Sequence, residues 1–391
     1  MKKPSLIFAL AVLAQSVLAF HASDALAFPE MIRAGYVNCT SCHISPNGGG
    51  LLNEYGRNSS ADVLSTWGGE NEAKPFYGAF KQPDWIDTGA FAKAVQTAQN
   101  NSAMSNGYFW YMQGDVEAAV TFGSQRQWTA DFAVGISPDV LNSVQVPGAS
   151  PLVSRRQYLM YRLNDTTTIR AGKFVADYGV YFPDHTIPTR QGIGFDEGME
   201  TYNLEYSYQG EKFSGSITAD FGRIDNPSLQ FDKGAMATGA MALGDSSKVG
   251  YSVFYGTENS NTRELTGPYA LLGFTRHFYL LGEADLQFTQ PSSGSSTRGL
   301  ASFERLGYEP IQGLHLYWME QTYVYDVAGN FNPTTINPMY GIMTNRLIGT
   351  GPGIYWYPRP HFYIQLEVQQ QFSPNYPSAQ TYGFIVGSIY L

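Results

Sequence analysis

The only two cysteines of the chain lie in one five-residue motif, CTSCH, at residues 39–43. Cys-x-x-Cys alone is typical of a redox-active dithiol or of half a zinc site, but a histidine at the next position indicates attachment of a c-type haem. Cys39 and Cys42 would form the thioether bonds to one haem c, and His43 would be the proximal ligand of its iron. The alternative is a small disulfide loop, which leaves the adjacent histidine unexplained.

The motif does not fix the second axial ligand of the iron. Met31 is the nearest thioether, just before the motif, and a methionine ligand would raise the reduction potential. We take Met31 as the candidate distal ligand, with an open or water-bound iron as the alternative. Met104 and Met112 lie at the first hairpin of the predicted barrel. His277, His315 and His361 lie at or beside predicted short turns, and we expect them to be turn or interfacial residues rather than ligands.

The motif lies in residues 28–85, a segment without the periodicity of a long helix or strand. We predict one or two short helices here, and a haem that supplies much of the core, because so short a segment buries little apolar surface by itself. The triplet Gly48–Gly50 is a candidate hinge. Arg33 and Arg57 are candidate partners of the haem propionates, or ordinary surface arginines.

Residues 1–27 have the pattern of a secretory signal peptide. Lys2 and Lys3 precede an apolar run, and Ala25-Leu26-Ala27 is a small-x-small cleavage site, with an earlier cut after Ala19 as the alternative. The apolar run is short for a membrane anchor. We therefore expect the mature chain to be exported.

Composition favours a membrane barrel for the remainder of the chain. Charged residues are 15% and aromatic residues 15%, and the net charge of −9 argues against a nucleic-acid partner. No later apolar stretch is long enough for a transmembrane helix. A chain rich in aromatic residues and glycine but only mildly hydrophilic is typical of outer-membrane β-barrels, whose strands are apolar on one face.

Strands with one apolar and one polar face recur after residue 85. Residues 213–221, 278–289 and 362–369 alternate apolar side chains with Glu, Asp, Gln, Thr and Ser. These segments have the length of tilted membrane-spanning strands. Residues 313–325 show no clear apolar face, because Leu314 and Leu316 share a side with Glu320.

Short and long connections alternate along the chain, as short periplasmic turns and longer external loops do in outer-membrane barrels. The predicted short turns are 123–125, 164–166, 209–211, 244–247, 276–277, 309–313 and 358–361. The predicted longer loops are 98–107, 137–153, 178–200, 223–233, 257–267, 290–297, 326–341 and 373–380. The prediction is an all-β fold, a transmembrane antiparallel barrel of about sixteen strands at residues 86–391 with a small N-terminal c-type haem segment.

The loop at 178–200 gathers acidic residues, one histidine and one arginine. Its position after the fifth strand is that of the inward-folding constriction loop of general porins, where it would narrow the lumen or attract a metal cation. Loop statistics favour instead a solvated external loop. The charged residues are Asp177, Asp184, His185, Arg190, Asp196 and Glu197.

The stretch FPEMIRAGYVNCTSCHISPNGGGLLNEYGR at residues 28–57 resembles the haem-binding start of outer-membrane monohaem cytochrome–porin fusions, which include iron-oxidising members. The shared features are Pro29, Arg33, Gly35, the CTSCH motif and Tyr55-Gly56-Arg57. The resemblance implies electron transfer through a single haem in front of a porin-like barrel. The SPNGGG stretch after His43 departs from the spacing of the iron oxidisers, so the donor stays open.

We therefore predict a protein of the outer membrane that passes electrons between periplasmic carriers and an extracellular redox partner or metal ion, such as Fe(II)/Fe(III). The alternative is a solute porin whose haem segment is a plug or a redox-gated lid. A weaker third option is an oxidoreductase, an iron oxidoreductase for example, acting at an open iron site. No Ser-His-Asp set, phosphate-binding loop or second metal motif supports another enzyme class.

Overall fold

The structure is a computed structural model, and it describes most of the chain. The described residues are 28–69, 71–79, 81–100, 105–137, 150–226, 232–258, 260–329, 345–373 and 379–391. The predicted signal peptide and Met104 lie outside these ranges. Within them, helices are short, and none has the length and apolar content needed to cross a membrane.

The described residues form one closed antiparallel barrel of sixteen strands, as predicted. Each strand pairs with its neighbours in the chain, and β1 pairs with β16 to close the barrel. The strands are β1 Ile86–Asn100, β2 Ser105–Phe122, β3 Trp128–Ile136, β4 Leu152–Asn164, β5 Thr167–Phe174, β6 Thr201–Gln209, β7 Phe213–Asp220, β8 Lys233–Ala242, β9 Ser247–Glu258, β10 Asn261–Gly273, β11 Phe278–Gln290, β12 Thr297–Ile311, β13 Leu314–Val324, β14 Arg346–Arg359, β15 Phe362–Phe372 and β16 Gln380–Tyr390.

The predicted faces of the strands are confirmed. In β7, Ile217 is 64% exposed on the outside, whereas Thr218 is fully buried on the inside. The same alternation holds for Leu366 and Glu367 in β15. Apolar side chains therefore cover the outer surface and polar side chains line the lumen, as a barrel in lipid requires.

Strand β13, whose face the pattern leaves open, turns Leu316 and Trp318 outward. Its inward side chains are apolar or aromatic as well as polar, and Tyr317 and Met319 are buried. Both faces are apolar here because this part of the lumen is filled with other parts of the chain. The alternation that marks strands next to a water-filled lumen is therefore lost.

The predicted short turns are confirmed at one end of the barrel. They are 123–127, 165–166, 210–212, 243–246, 274–277, 312–313 and 360–361. The long loop predicted at 257–267 is wrong, because β9 runs to Glu258 and β10 begins at Asn261. The polar stretch that reads as a loop is paired strand: Arg263, for example, pairs with Gly256 in β9.

Residues 28–85, the N-terminal segment, contain short helical turns and one α-helix. The 3₁₀ turns are Pro29–Ala34, Cys39–Ser41 and Pro75–Gly78, the helix α1 is Glu54–Ser59, and a π turn follows at Ser60–Leu64. The helix begins where the Asn53 side chain accepts a hydrogen bond from the Gly56 N–H. The predicted short helices are therefore present, and they are among the shortest elements of the fold.

The N-terminal segment lies inside the barrel, at the end with the short turns. Its side chains reach strands on different sides of the wall, through Arg57 to Asp87 of β1, Asn47 to Glu205 of β6 and Arg33 to Glu309 of β12. The apolar residues Met31, Ile32 and Leu64 are buried against inward-facing aromatic residues of the wall. The segment therefore fills this mouth of the barrel.

The connection between β5 and β6, residues 175–200, folds into the lumen. Phe182 and Ile187 are at most 1% exposed, and the turn Pro188–Gly192 contacts β11, β12 and β13. The expectation of a solvated external loop is wrong. The alternation of Val180, Phe182, Ile187, Ile193 and Phe195 with charged residues provides the apolar surface that makes inward packing favourable.

Candidate haem site

One tight turn brings the three residues of the haem motif together. The N–H groups of Cys42 and His43 both donate to the Cys39 carbonyl, at 3.1 and 3.0 Å. Cys42 is 1% exposed, and no disulfide joins it to Cys39. Burial raises the pKa of the Cys39 thiol.

The residues after the motif form a loop that points into the barrel. His43 and Leu52 pair across its base, where the Ile44 N–H donates to the Leu51 carbonyl at 3.0 Å. At the tip, the Ser45 hydroxyl accepts a hydrogen bond from Arg170 of β5 at 3.0 Å. The loop therefore carries the haem motif at its base and contacts the inner wall with its tip.

The glycine triplet allows this loop to approach the barrel closely. Gly48, Gly49 and Gly50 have φ angles of +85°, +69° and +63°, which side chains disfavour. A Cβ on Gly49 would lie 2.6 Å from the Tyr181 ring, and one on Gly50 would lie 2.5 Å from the Arg156 guanidinium. Glycine at these positions therefore permits the close contacts with the barrel wall and with residues 175–200, the inward loop.

Gly56 and Arg57 hold α1 against the motif and the wall. A Cβ on Gly56 would lie 2.4 Å from the Cys42 carbonyl oxygen, so only glycine permits this packing. The Arg57 guanidinium donates to the Leu52 carbonyl at 2.6 Å and to the Asp87 carboxylate at 3.0 Å. Gly56 and Arg57 therefore anchor α1 to the CTSCH motif and to β1.

A pocket with about 1050 Å³ of free space, part of it open solvent, lies between the N-terminal segment and the barrel wall, and His43 lines it. Its apolar lining includes Phe28, Leu51, Tyr363 and Tyr390. Its polar side is formed by residues of the wall and of the inward loop, among them Glu117, Arg156 and Glu197.

A second pocket, with about 800 Å³ of free space that likewise includes open solvent, adjoins the first and is lined by Cys39. The two cavities share Phe28, Pro29, Gly49 and Tyr181 as lining residues. Two of the three motif residues therefore face adjoining space between the segment and the wall, with an imidazole and a thiol at its edge. Cys42 lines neither cavity and is buried beneath them.

The other residues named for haem contacts have protein partners. The Met31 sulfur accepts a hydrogen bond from Arg33 at 3.4 Å, and Met31 lines neither cavity. Arg33 also pairs with the buried Glu309 carboxylate of β12. Arg57 lines the first cavity while it pairs with Asp87. Both predicted propionate partners thus anchor the segment to the wall.

Several charged residues of the inward loop form pairs, either within the loop or with the lumen wall. The His185 ring lies 2.8 Å from Asp196 and 3.3 Å from the Lys93 ammonium. Burial raises the pKa of the Glu197 carboxyl, but Arg156 and other cations prevail and lower it to about 2. In the part of the chain that the structure describes, no cluster of three or more His, Cys, Asp or Glu residues could hold a metal ion.

Sequence reasoning names His361 but assigns it no role beyond the turn. The structure buries this histidine fully and places it in the lining of the cavity that contains His43. The one feature of the sequence that could have marked His361 as unusual is the tetrapeptide Arg-Pro-His-Phe. It places a histidine in a tight turn, where glycine or asparagine is usual. Met112, by contrast, lines a separate cavity beside His185.

Comparisons with known proteins agree on the fold. No protein-family model matches the chain, and no curated protein matches it. The chain is similar to OmpT of Vibrio cholerae with loop L8 deleted, at 9% identity and a TM-score of 0.57 over 78% of this chain and 99% of that one. It is equally similar to an anion-selective porin from Comamonas acidovorans, with the same identity, TM-score and coverage.

A third structural neighbour is OmpF of Salmonella typhi, solved with daunomycin, at 11% identity and a TM-score of 0.56 over 78% of this chain and 97% of that one. The chain therefore has the fold of a sixteen-stranded outer-membrane porin. At these identities the likeness shows the architecture of the wall. The haem motif and the segment that carries it are features of this chain's own sequence.

Proposed function

We propose that this chain carries electrons across the outer membrane through one covalently bound haem c. The supporting observation is that His43 lines a pocket with about 1050 Å³ of free space, part of it open solvent, inside the short-turn end of the barrel. Short turns face the periplasm in outer-membrane barrels, so the haem segment would close the periplasmic mouth. Periplasmic carriers would exchange electrons there, and an extracellular donor or acceptor, such as ferrous or ferric iron, would approach from the other end.

Each residue of the motif has a role in this proposal. Cys39 and Cys42 would hold the haem through thioether bonds, and His43 would be an axial ligand. Phe28 and Tyr363 would supply apolar walls. When bound, the haem supplies an iron that gains or loses one electron, at a potential set by its ligands and surroundings. The chain's own task is to hold this group inside a wall that excludes lipid.

The burial of Cys42 has a consequence for assembly. Because Cys42 is 1% exposed and lines neither cavity, its thiol is inaccessible once the segment is docked. Haem attachment would therefore precede docking of the segment into the barrel. The haem would then complete the packing of a segment that has little secondary structure of its own.

The inward loop limits which partners can reach the haem from outside. Phe182 and Ile187 fill the lumen beside β12 and β13, and Asp184 pairs there with Arg305 at 3.2 Å. An ion or a small molecule would pass such a constriction more readily than a protein would. This favours a small external redox partner, such as a metal ion.

A second candidate is a solute-conducting porin, which the porin-like fold and the inward loop favour. The N-terminal segment would then be a plug or a redox-gated lid, with Gly48–Gly50 as its hinge. The segment contacts several sides of the wall, so it would have to move for solute to pass. This requirement separates the two candidates experimentally.

The test uses the full-length protein in liposomes that enclose an electron-accepting dye, with ferrous iron outside. We expect the wild-type protein to reduce the dye, whereas Cys39→Ala/Cys42→Ala should fold as a barrel and reduce none. Equal dye reduction by both proteins would contradict the proposal.

Planar-bilayer conductance of the same two proteins tests the second candidate. Electron transfer predicts small conductance for the wild-type protein, because the segment fills the mouth. Large conductance, combined with no haem-dependent reduction of the dye, would favour the solute porin and contradict the electron-transfer role.

A further inference from the structure

His361 occupies an unusual position at the haem end of the barrel. It lies in the turn of two residues between β14 and β15, with a φ of +65°. Histidine is rare in this left-handed region, although asparagine, aspartate and histidine tolerate it better than most residues. Its backbone is held on both sides: its carbonyl accepts from the Tyr390 N–H at 2.9 Å and its N–H donates to the Ser60 hydroxyl at 3.4 Å.

The imidazole of His361 is buried without a hydrogen bond. Its exposure is 0%, and neither ring nitrogen makes a hydrogen bond to any residue that the structure describes. Rings of Tyr77 and Tyr390 meet it edge to face, each at 5.6 Å between centroids. Buried polar groups are normally satisfied, so an imidazole in this state requires an explanation. A bound group that is not part of the polypeptide would explain the unpaired ring directly.

His361 shares the large cavity with His43. The two histidines come from different parts of the structure, His361 from the barrel wall and His43 from the N-terminal segment. We propose that His361 is the second axial ligand of the haem iron, an inference that rests on the proposed function. The iron would then be coordinated by one histidine of the segment and one of the wall.

The surroundings of His361 suit this role. A haem-ligating histidine commonly directs its other ring nitrogen at a backbone carbonyl, which fixes the orientation of the ring. The backbone carbonyl groups of Glu72 and Ala73 lie beside the His361 ring, although neither makes a well-formed hydrogen bond with it.

The other candidate ligands are engaged elsewhere. His315 lies 3.2 Å from the Tyr279 hydroxyl and 3.5 Å from the Glu309 carboxylate. The His277 ring lies 2.8 Å from the Glu309 carbonyl, and His185 pairs with Asp196. The Met31 sulfur faces Arg33. Among the described residues, His361 is thus the imidazole that shares a cavity with His43.

Coordination from the wall would also fix the segment in the mouth. A bond between iron and His361 would link the N-terminal segment to the β14–β15 turn, in addition to the polar contacts already described. Loss of this ligand would leave the haem covalently attached through the cysteines but would loosen the docked segment. The inference therefore predicts a spectroscopic change and a change in protection of the segment from protease.

The experiment compares His361→Gly with the wild-type full-length protein. Glycine suits the positive φ of this turn, so the barrel should fold. The expected result is loss of the low-spin six-coordinate spectrum of the oxidised haem, and its return when imidazole is added. His277→Ala, at a turn on the same end, is the matched control and should keep the wild-type spectrum.

His361→Met provides a second, independent measurement. Exchange of a histidine ligand for methionine should raise the reduction potential in a redox titration. An unchanged spectrum in His361→Gly, or loss of the low-spin spectrum in Met31→Leu instead, would overturn the assignment and leave the proposed function intact. A wild-type protein without covalent haem would overturn both.

Discussion

The barrel wall and the N-terminal segment are stabilised by different kinds of interaction. In the wall, each strand pairs with both of its neighbours, up to the closing pair in which Phe91 of β1 lies opposite Tyr390 of β16. The segment has only short helical turns, and long-range side-chain contacts such as Arg57 to Asp87 hold it in place. The wall can therefore persist without the segment, whereas the position of the segment depends on the wall.

This difference predicts two classes of substitution, those that destabilise the barrel and those that release the segment. Changes at contacts that belong to the wall should lower the stability of the barrel itself. Changes confined to the segment should release the segment, expose it to protease and raise conductance, while the barrel stays folded. The substitutions below test this division, from the largest expected effect to the smallest.

The largest effect is expected for Arg170→Ala, where the wall and the segment meet. Arg170 donates to Glu205 through two nitrogens at 2.8 and 3.1 Å and through a third to the Ser45 hydroxyl. Removal of one partner of a buried ion pair costs about 3–5 kcal/mol. We expect this loss in the free energy of unfolding of the barrel, measured by urea titration in detergent.

The matched control for Arg170 is Arg126→Ala. Arg126 pairs with Asp84 at 3.1 Å, but both side chains are more than half exposed. Exposed pairs contribute about 0–1 kcal/mol, so the barrel should unfold at nearly the wild-type urea concentration. Equal losses in both variants would contradict the role of Arg170 as a buried link.

Gly56→Ala should release the segment without weakening the wall. The new methyl group would collide with the Cys42 carbonyl, and overpacking of this kind costs about 1–3 kcal/mol. We expect faster protease cleavage after α1 and higher conductance, with unchanged barrel unfolding. Gly69→Ala is the control: its methyl group would meet only the Glu72 side chain at 3.7 Å, an ordinary contact. Equal protease cleavage rates and equal conductance of Gly56→Ala and Gly69→Ala would contradict this prediction.

The smallest effect is expected for Asp177→Asn in the inward loop, and it should depend on pH. Burial and the nearby Glu205 carboxylate raise the pKa of Asp177 to about 6, above its ordinary value of 3.8. The stabilising contribution of this group is present below pH 3.8 and is lost as the pH rises through about 6. Asparagine should therefore stabilise the protein by on the order of 1–2 kcal/mol at pH 8 and less at pH 5. A stabilisation by Asp177→Asn that is larger at pH 5 than at pH 8 would contradict this pH dependence.

The wall could be predicted from sequence because its information is local. Alternating residues assign each side chain to the lipid or the lumen, and turn residues separate the strands, so the sixteen strands and the short turns follow from short stretches. Where local composition misleads, the prediction fails: residues 257–258 and 261–267 lie in a polar stretch but belong to paired strands.

The interior could not be predicted in the same way, because its contacts join residues far apart in the chain. Nothing near His361 in sequence indicates that it shares a cavity with His43. The inward packing of residues 175–200 likewise depends on apolar partners in β10 to β13. The CTSCH motif predicts the chemistry of the site from five residues, but its surroundings require the fold.

The most direct test of the central claim is the amount of haem that remains bound to the purified full-length protein after denaturation. Covalent attachment at Cys39 and Cys42 predicts one haem per chain that survives in denaturant, and none in Cys39→Ala/Cys42→Ala. A colourless wild-type protein that forms the same barrel would contradict the account.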